Sequence, residues 1–183
     1  MPSSPVPAFS RLHSDYLQTS PQDWTFQDCH TVPLGRTGLT PDDLVPAFFR
    51  ATSGLLNLLM RLRDAVVKML GLKTTGIGDP ARLSPPFPVG RRVGLFRVIA
   101  RSDDEIILGE DDRHLDFRIS ILVERASQTP DRLSVCTPDR LSVCTIVKPH
   151  NLAGRIYLAF VLPVHKLLVP SAVRRMARLL DTP

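Results

Sequence analysis

His114, Asp116 and Arg118 are the residues of this chain whose types and spacing best suit chemistry. They stand two apart, so in an extended strand they share one face. A carboxylate beside an imidazole orients the ring and tunes its basicity, which is the arrangement of a general acid or base. An arginine further along that face can hold an anionic group. Between and beyond them, Leu115, Phe117, Ile119, Ile121 and Val123 keep the period of two of a half-buried strand. The same alternation sets an opposite reading. If the apolar face meets a helix, the polar face lies outside as a salt-bridged surface. If a loop such as residues 73–92 covers them, the three form a buried polar cluster.

Other chemistry-bearing residues are scattered. Asp111, Asp112, His114, Asp116 and His150 are metal-ligand types, but their spacing fits no metal-site template, and no metal is expected. Residues 74–80, TTGIGDP, lack the Gly-Lys-Ser/Thr ending of a phosphate loop and follow no strand signal, so no cofactor is expected there. Cys29 and His30 are neighbours, and in a strand they face opposite sides. His165, two residues after Pro163, can exchange a proton with a ligand or simply sit on a helix surface. The three cysteines, Cys29, Cys136 and Cys144, are odd in number and lack framework spacing, which argues against a secreted disulfide scaffold.

The elements that must position these residues follow from pattern. Residues 1–23 are rich in Pro and Ser and read as a tail. Residues 24–34 read as a first strand, ended by Pro33 and Gly35. Thr40 caps a helix from Pro41 through Arg50, with Asp42 and Asp43 at its positive end. Thr52-Ser53 restarts a second helix to Leu70, whose apolar face includes Leu55, Leu59, Leu62, Val66 and Met69. Residues 73–92, with three glycines and four prolines, form a long irregular stretch of the kind used as a lid or binding loop. Strand signals follow at 93–100, 105–109, 114–125 and 141–148, an antiparallel meander of four strands, or five if 24–34 joins. Asn151 caps a C-terminal helix from Leu152, with Pro163 expected to kink it and Pro170-Ser171 to break or restart it.

Composition bounds the rest. At 183 residues the chain is long enough for one domain with its own core, placed at 24–183. Net charge is +5, with the basic residues dispersed and few aromatics among them, so nucleic-acid binding is not expected. No signal peptide and no uninterrupted apolar run of membrane-spanning length is evident, which makes a cytoplasmic location the expectation.

Several stretches together resemble a known family. Arg61-Leu62-Arg63-Asp64 precedes Gly71-Leu72, and Val93-Gly94-Leu95-Phe96 opens the meander. GEDDRHLDFRISILVE is followed by TIVKPHNLAGRIYL and LPVHKLLVP. Over residues 23–180 the chain resembles an uncharacterised bacterial family of the START-like, polyketide-cyclase-like superfamily. That resemblance implies an α+β helix-grip fold: a curved antiparallel sheet of about five strands wrapped around a long C-terminal helix, with one or two helices after the first strand. Some relatives carry a dinucleotide-binding domain ahead of this one; no GxGxxG follows a strand here. The resemblance also implies a cavity between sheet and helix for a small apolar or amphipathic molecule. Its expected lining is Leu59, Leu62, Phe96, Phe117, Ile119, Tyr157 and Phe160. Two alternatives stand beside ligand binding: a cyclase-like or hydrolase-like enzyme using His114, Asp116 and Arg118, and a protein-interaction module.

Residues 129–136 and 137–144 both read TPDRLSVC, a departure from the family pattern. Cys136 and Cys144 are therefore copies of one position rather than a metal pair. Eight is even, so both copies present the same faces, and the second, which runs into Thr145, is expected to be the strand. Deleting one copy is expected to leave cooperative unfolding and Tm nearly unchanged in a thermal melt; loss of folding would contradict this.

Overall fold

Residues 115–124 pair with a strand on either side. The computed structural model describes residues 14–19, 24–69, 83–125 and 138–182. In it this stretch is β5 (Leu115–Glu124), hydrogen-bonded to β4 (Glu105–Asp111) and β6 (Arg140–Pro149). On the far side of β6 lies β1 (Phe26–Pro33), and beyond β4 lie β3 (Phe96–Arg101) and β2 (Arg92–Val93). The described residues thus form one curved, open, antiparallel sheet of six strands in the order β1-β6-β5-β4-β3-β2. Two long helices, α2 (Pro41–Met69) and α3 (Leu152–Asp181), accompany it, and α1 (Asp15–Thr19) is a short third. The fold class is α+β, as the pattern predicts.

One face of the sheet, the inner face, carries the main core. Ile106, Leu108, Ile121, Val123, Leu141 and Val143 meet Leu44, Val45, Phe48 and Phe49 of α2. Val169, Val173, Met176, Ala177 and Leu180 of α3 complete this layer. Each such aliphatic side chain, fully buried, contributes about 1.5–3 kcal/mol of transfer free energy. The outer face carries a smaller cluster of Leu17, Cys29, Cys144 and Ile146, with Trp24 packed against it. Both faces of β6 are therefore covered. Residues Leu141 to Cys144 are all buried, where a one-sided strand would alternate.

Three expectations are corrected, and one covalent bond was not anticipated. The strand predicted at 93–100 is two strands, because Gly94 turns with φ of 60° and a Cβ there would lie 3.1 Å from the Phe49 ring. This makes six strands rather than five. The two helices predicted over 41–70 are one. Thr52 does not restart a helix; its hydroxyl donates to the Phe48 carbonyl, 2.6 Å away, within an uninterrupted helix. The C-terminal helix likewise continues unbroken through Pro170-Ser171. Finally, Cys29 and Cys144 face each other across β1 and β6 and form a disulfide, although 115 residues separate them. The second octapeptide copy does enter a strand, β6; the first lies outside the described residues.

At α3 the cap follows the sequence, whereas at α2 the capping side chain is Asp43 rather than Thr40. The Asp43 carboxylate accepts from the Thr40 backbone N–H (2.9 Å) and hydroxyl (2.7 Å), one half of a capping box. Asp42 pairs with Arg101 through both carboxylate oxygens and accepts from the Phe87 N–H, tying α2 to β3 and to the buried Phe87. These contacts, the Arg101 hydrogen bond foremost, hold the Asp42 carboxyl below the usual range. At α3 the Asn151 side chain accepts from the Gly154 N–H, 3.0 Å away. Gly154 itself has no room for a side chain, since a Cβ would sit 2.0 Å from the His114 carbonyl oxygen. Gly154→Ala must push backbone from backbone. We expect it to cost at least about 2 kcal/mol, roughly 5 °C or more in Tm, by thermal and urea unfolding. An unchanged Tm would show that α3 can shift at its start.

Candidate functional site

The three residues singled out by spacing go to three different partners. His114 sits in the turn before β5, where its Nδ1 accepts from Asn151 Nδ2 at 2.9 Å. The same amide donates to the Arg113 carbonyl, so His114 belongs to the cap of α3. Asp116 pairs with His150 Nε2 at 2.9 Å. Arg118 pairs with Asp111 at 2.6 Å and lies over the Trp24 ring at 5.9 Å. Strand parity puts Asp116 and Arg118 on the outer face, opposite the partly buried Phe117 and Ile119 that pack against the main core.

A different cluster lies on the inner face. Asp28 and His30 stand two apart on β1, and His30 Nε2 is 3.0 Å from Asp28 Oδ2. His165 of α3 reaches the same oxygen, its buried Nδ1 at 3.4 Å, within ion-pair distance but outside hydrogen-bond alignment. The Phe26 ring meets the His165 ring edge-on at 5.4 Å. Cys29, between Asp28 and His30, points to the outer face and its disulfide, as alternation requires. The shared face of Asp28 and His30 was readable from their spacing. The approach of His165 was not, because it depends on how α3 is rotated against β1.

The inner face is unevenly covered. Ile121 and Val123 are fully buried, whereas Phe117 and Ile119 on the same face of the same strand are only partly buried. Ile119, Thr145 and Asp28 form one row across β5, β6 and β1, and all three are partly buried. Phe96 is buried in an aromatic group with Phe48, Phe49 and Phe117, at centroid separations of 5.5–6.2 Å. Tyr157 is partly buried on α3. Phe160 is 58% exposed, on the side of α3 away from the buried Leu158, Val161 and His165. The side chains of Leu59 and Leu62 lie outside the described residues.

Residues 20–172 match the profile of a family described as a protein of unknown function, DUF2867. The chain belongs to the DUF2867 family. No curated protein and no solved structure matches it significantly. Among the described residues of this DUF2867 domain, no group of three or more His, Cys, Asp or Glu is arranged to hold a metal ion. The geometry makes the row that runs from Ile119 through Thr145 to Asp28, with His165 at its polar end, the candidate site.

The electrostatics of that end are set by Asp28. Burial raises its pKa, but the contacts with His165 and His30 outweigh burial and hold the carboxyl below the ordinary range. An ionised carboxylate here can orient an imidazole for proton exchange. A carboxyl lowered by folding contributes stability that is complete above its unfolded value, near pH 4. That contribution is lost as pH falls further, because the unfolded chain takes up the proton first. Asp28→Asn should remove this term. The stability difference between wild type and Asp28→Asn is expected to shrink as pH falls from about 5 to about 2 in urea unfolding. A difference constant over that range would contradict the assignment.

Proposed function

We propose that this domain is a START-like helix-grip module that binds a small, largely apolar or amphipathic molecule between the inner face and α3. The observation that carries the reading is the partial burial of Ile119 and Thr145. They sit mid-strand on two central strands of the sheet, where covering by two helices of 29 and 30 residues should be most complete. A binding space at that place would have an apolar floor, Phe117 and Ile119, and would end in the polar pair Asp28 and His165, which suits a molecule with an apolar body and one polar group. Strands lie about 4.8 Å apart, so the row from Ile119 to Asp28 spans about 10 Å, the length of a small molecule.

One observation favours a catalytic version of this reading. His165 is buried beside a carboxylate at the end of the row, the placement of an acid or base acting on the polar group of a bound molecule. His114, Asp116 and Arg118 are engaged by Asn151, His150 and Asp111, so an acid–base step on the outer face would first have to release them.

Native mass spectrometry of the purified protein, with a fluorescent apolar probe in titration, tests the binding. Ile119→Trp fills the floor of the row. It is expected to weaken probe binding about ten-fold or more, equivalent to about 1.4 kcal/mol, with unfolding still cooperative. Equal binding by wild type and Ile119→Trp, or no binding by either, would overturn the reading.

A further inference from the structure

The outward face of α3 is apolar where a surface helix should be polar. Leu152 is 72% exposed, Ile156 39%, Phe160 58% and Leu167 76%. With the exposed Pro163 they fall within an arc of about 80° on the helix, opposite the buried Leu158, Val161, His165 and Val169. The stripe runs for 16 residues, roughly 24 Å. By length and composition α3 is also long and apolar enough to cross a membrane, but a third of its most apolar window is buried within the protein. That buried third is the side packed on the sheet and on α2, so the helix cannot be surrounded by lipid while the fold is intact.

From Leu152 to Leu180, the charges that α3 itself places around the stripe are all of one sign. Arg155 and Lys166 flank one side, Arg175 the other, and Arg174 and Arg178 continue the arc beyond Leu167; all five are exposed. No Asp or Glu occurs in α3 before Asp181, and the Asp181 carboxylate accepts from the Gly35 and Arg36 N–H groups at 2.8 and 3.1 Å. An apolar ridge edged with cations and free of anions is the pattern of a helix lying in the interface of an anionic bilayer. The surface is a convex cylinder, which can sink into the acyl boundary but offers no concavity to a protruding partner.

We propose that this face of α3 docks the protein on an anionic lipid surface, with the helix axis in the membrane plane and the sheet on the water side. The proposal stands independently of the proposed binding row, which lies on the opposite side of the same helix.

Co-sedimentation with vesicles tests it. The full chain is expected to bind phosphatidylcholine vesicles containing about 30% phosphatidylserine, and to bind pure phosphatidylcholine far more weakly. Phe160→Ser and Leu167→Ser should each weaken binding about ten-fold. Arg174→Glu and Arg175→Glu should each weaken it about five-fold or more and reduce its sensitivity to salt. All four positions are exposed, so circular dichroism melts should match wild type. Ile119→Trp, on the inner face of the sheet and away from this stripe, should bind vesicles as wild type does while its unfolding stays cooperative. Three results would overturn the proposal: no preference for anionic vesicles, unchanged binding by the α3 variants, or loss of binding in Ile119→Trp. Concentration-dependent dimerisation that Leu167→Ser abolishes, without vesicle binding, would also overturn it and assign the face to a second copy of the chain.

Discussion

The contact between α3 and the His114 carbonyl constrains more of this structure than any other single interaction. That oxygen accepts from the His150 N–H at 2.8 Å, adding one rung to the β5–β6 ladder beyond Leu115 and Pro149. The first turn of α3 then passes so close that only a glycine fits at position 154. Asn151 caps the helix and at the same time donates to Arg113 and to the His114 ring. A helix held at its first turn by backbone contact cannot slide or rotate there. With 100° per residue, its phase at Gly154 sets which side chains face the sheet and which face solvent eleven and thirteen residues later. His165 is thereby aimed at Asp28, and Leu167 at solvent.

The two sheet faces solve different problems. The inner face buries large aliphatic and aromatic side chains against α2 and α3, and its stability comes from apolar area. The outer face is polar over much of its width and is held by pairs. Ser120 meets Glu105, and Ser142 meets both Thr31 and Glu124. Ser120 and Ser142 are fully buried, so each hydroxyl needs a partner, and a carboxylate is a strong one. Arg118 works in the same layer. Its guanidinium spans from Asp111 to the Trp24 ring, covering apolar surface with its stem while its charge is neutralised. An arginine so engaged serves the packing of the outer face.

Much of this was legible wherever the determining contacts are local. The alternation of residues 115–123 needs only a strand and a covered face. The Thr40 and Asn151 caps need only a side chain three residues from an unpaired N–H. What escaped depends on distant contacts. Thr52-Ser53 carries the chemistry of a cap, and nothing local distinguishes that from a hydroxyl bonded back to the Phe48 carbonyl inside a helix. Gly94 splits a strand because Phe49 lies beneath it. The Cys29–Cys144 disulfide follows from the β1–β6 register, and an odd cysteine count carries no information about register. The Asp28–His165 approach fails to show for the same reason. One partner is fixed by β1 parity, the other by the phase of a helix that begins at Leu152, 119 residues after β1 ends at Pro33.

The phase of α3 also explains why an apolar outward stripe can persist without harming the fold. The inward face of the helix carries Val169, Val173, Met176 and Leu180 in the core, where a polar substitution would leave a buried group without a partner. The outward residues touch no core, so their identity is free of the demands of packing. A chain under packing demands alone would drift toward polar residues there, since exposed leucine and phenylalanine add to the risk of association. The proposed lipid surface gives Leu152, Ile156, Phe160 and Leu167 a role outside the folded chain, and the cations around them match its charge. The same argument separates the two candidate surfaces of α3. Substitutions facing the sheet act through stability as well as binding, whereas those facing outward act on binding alone.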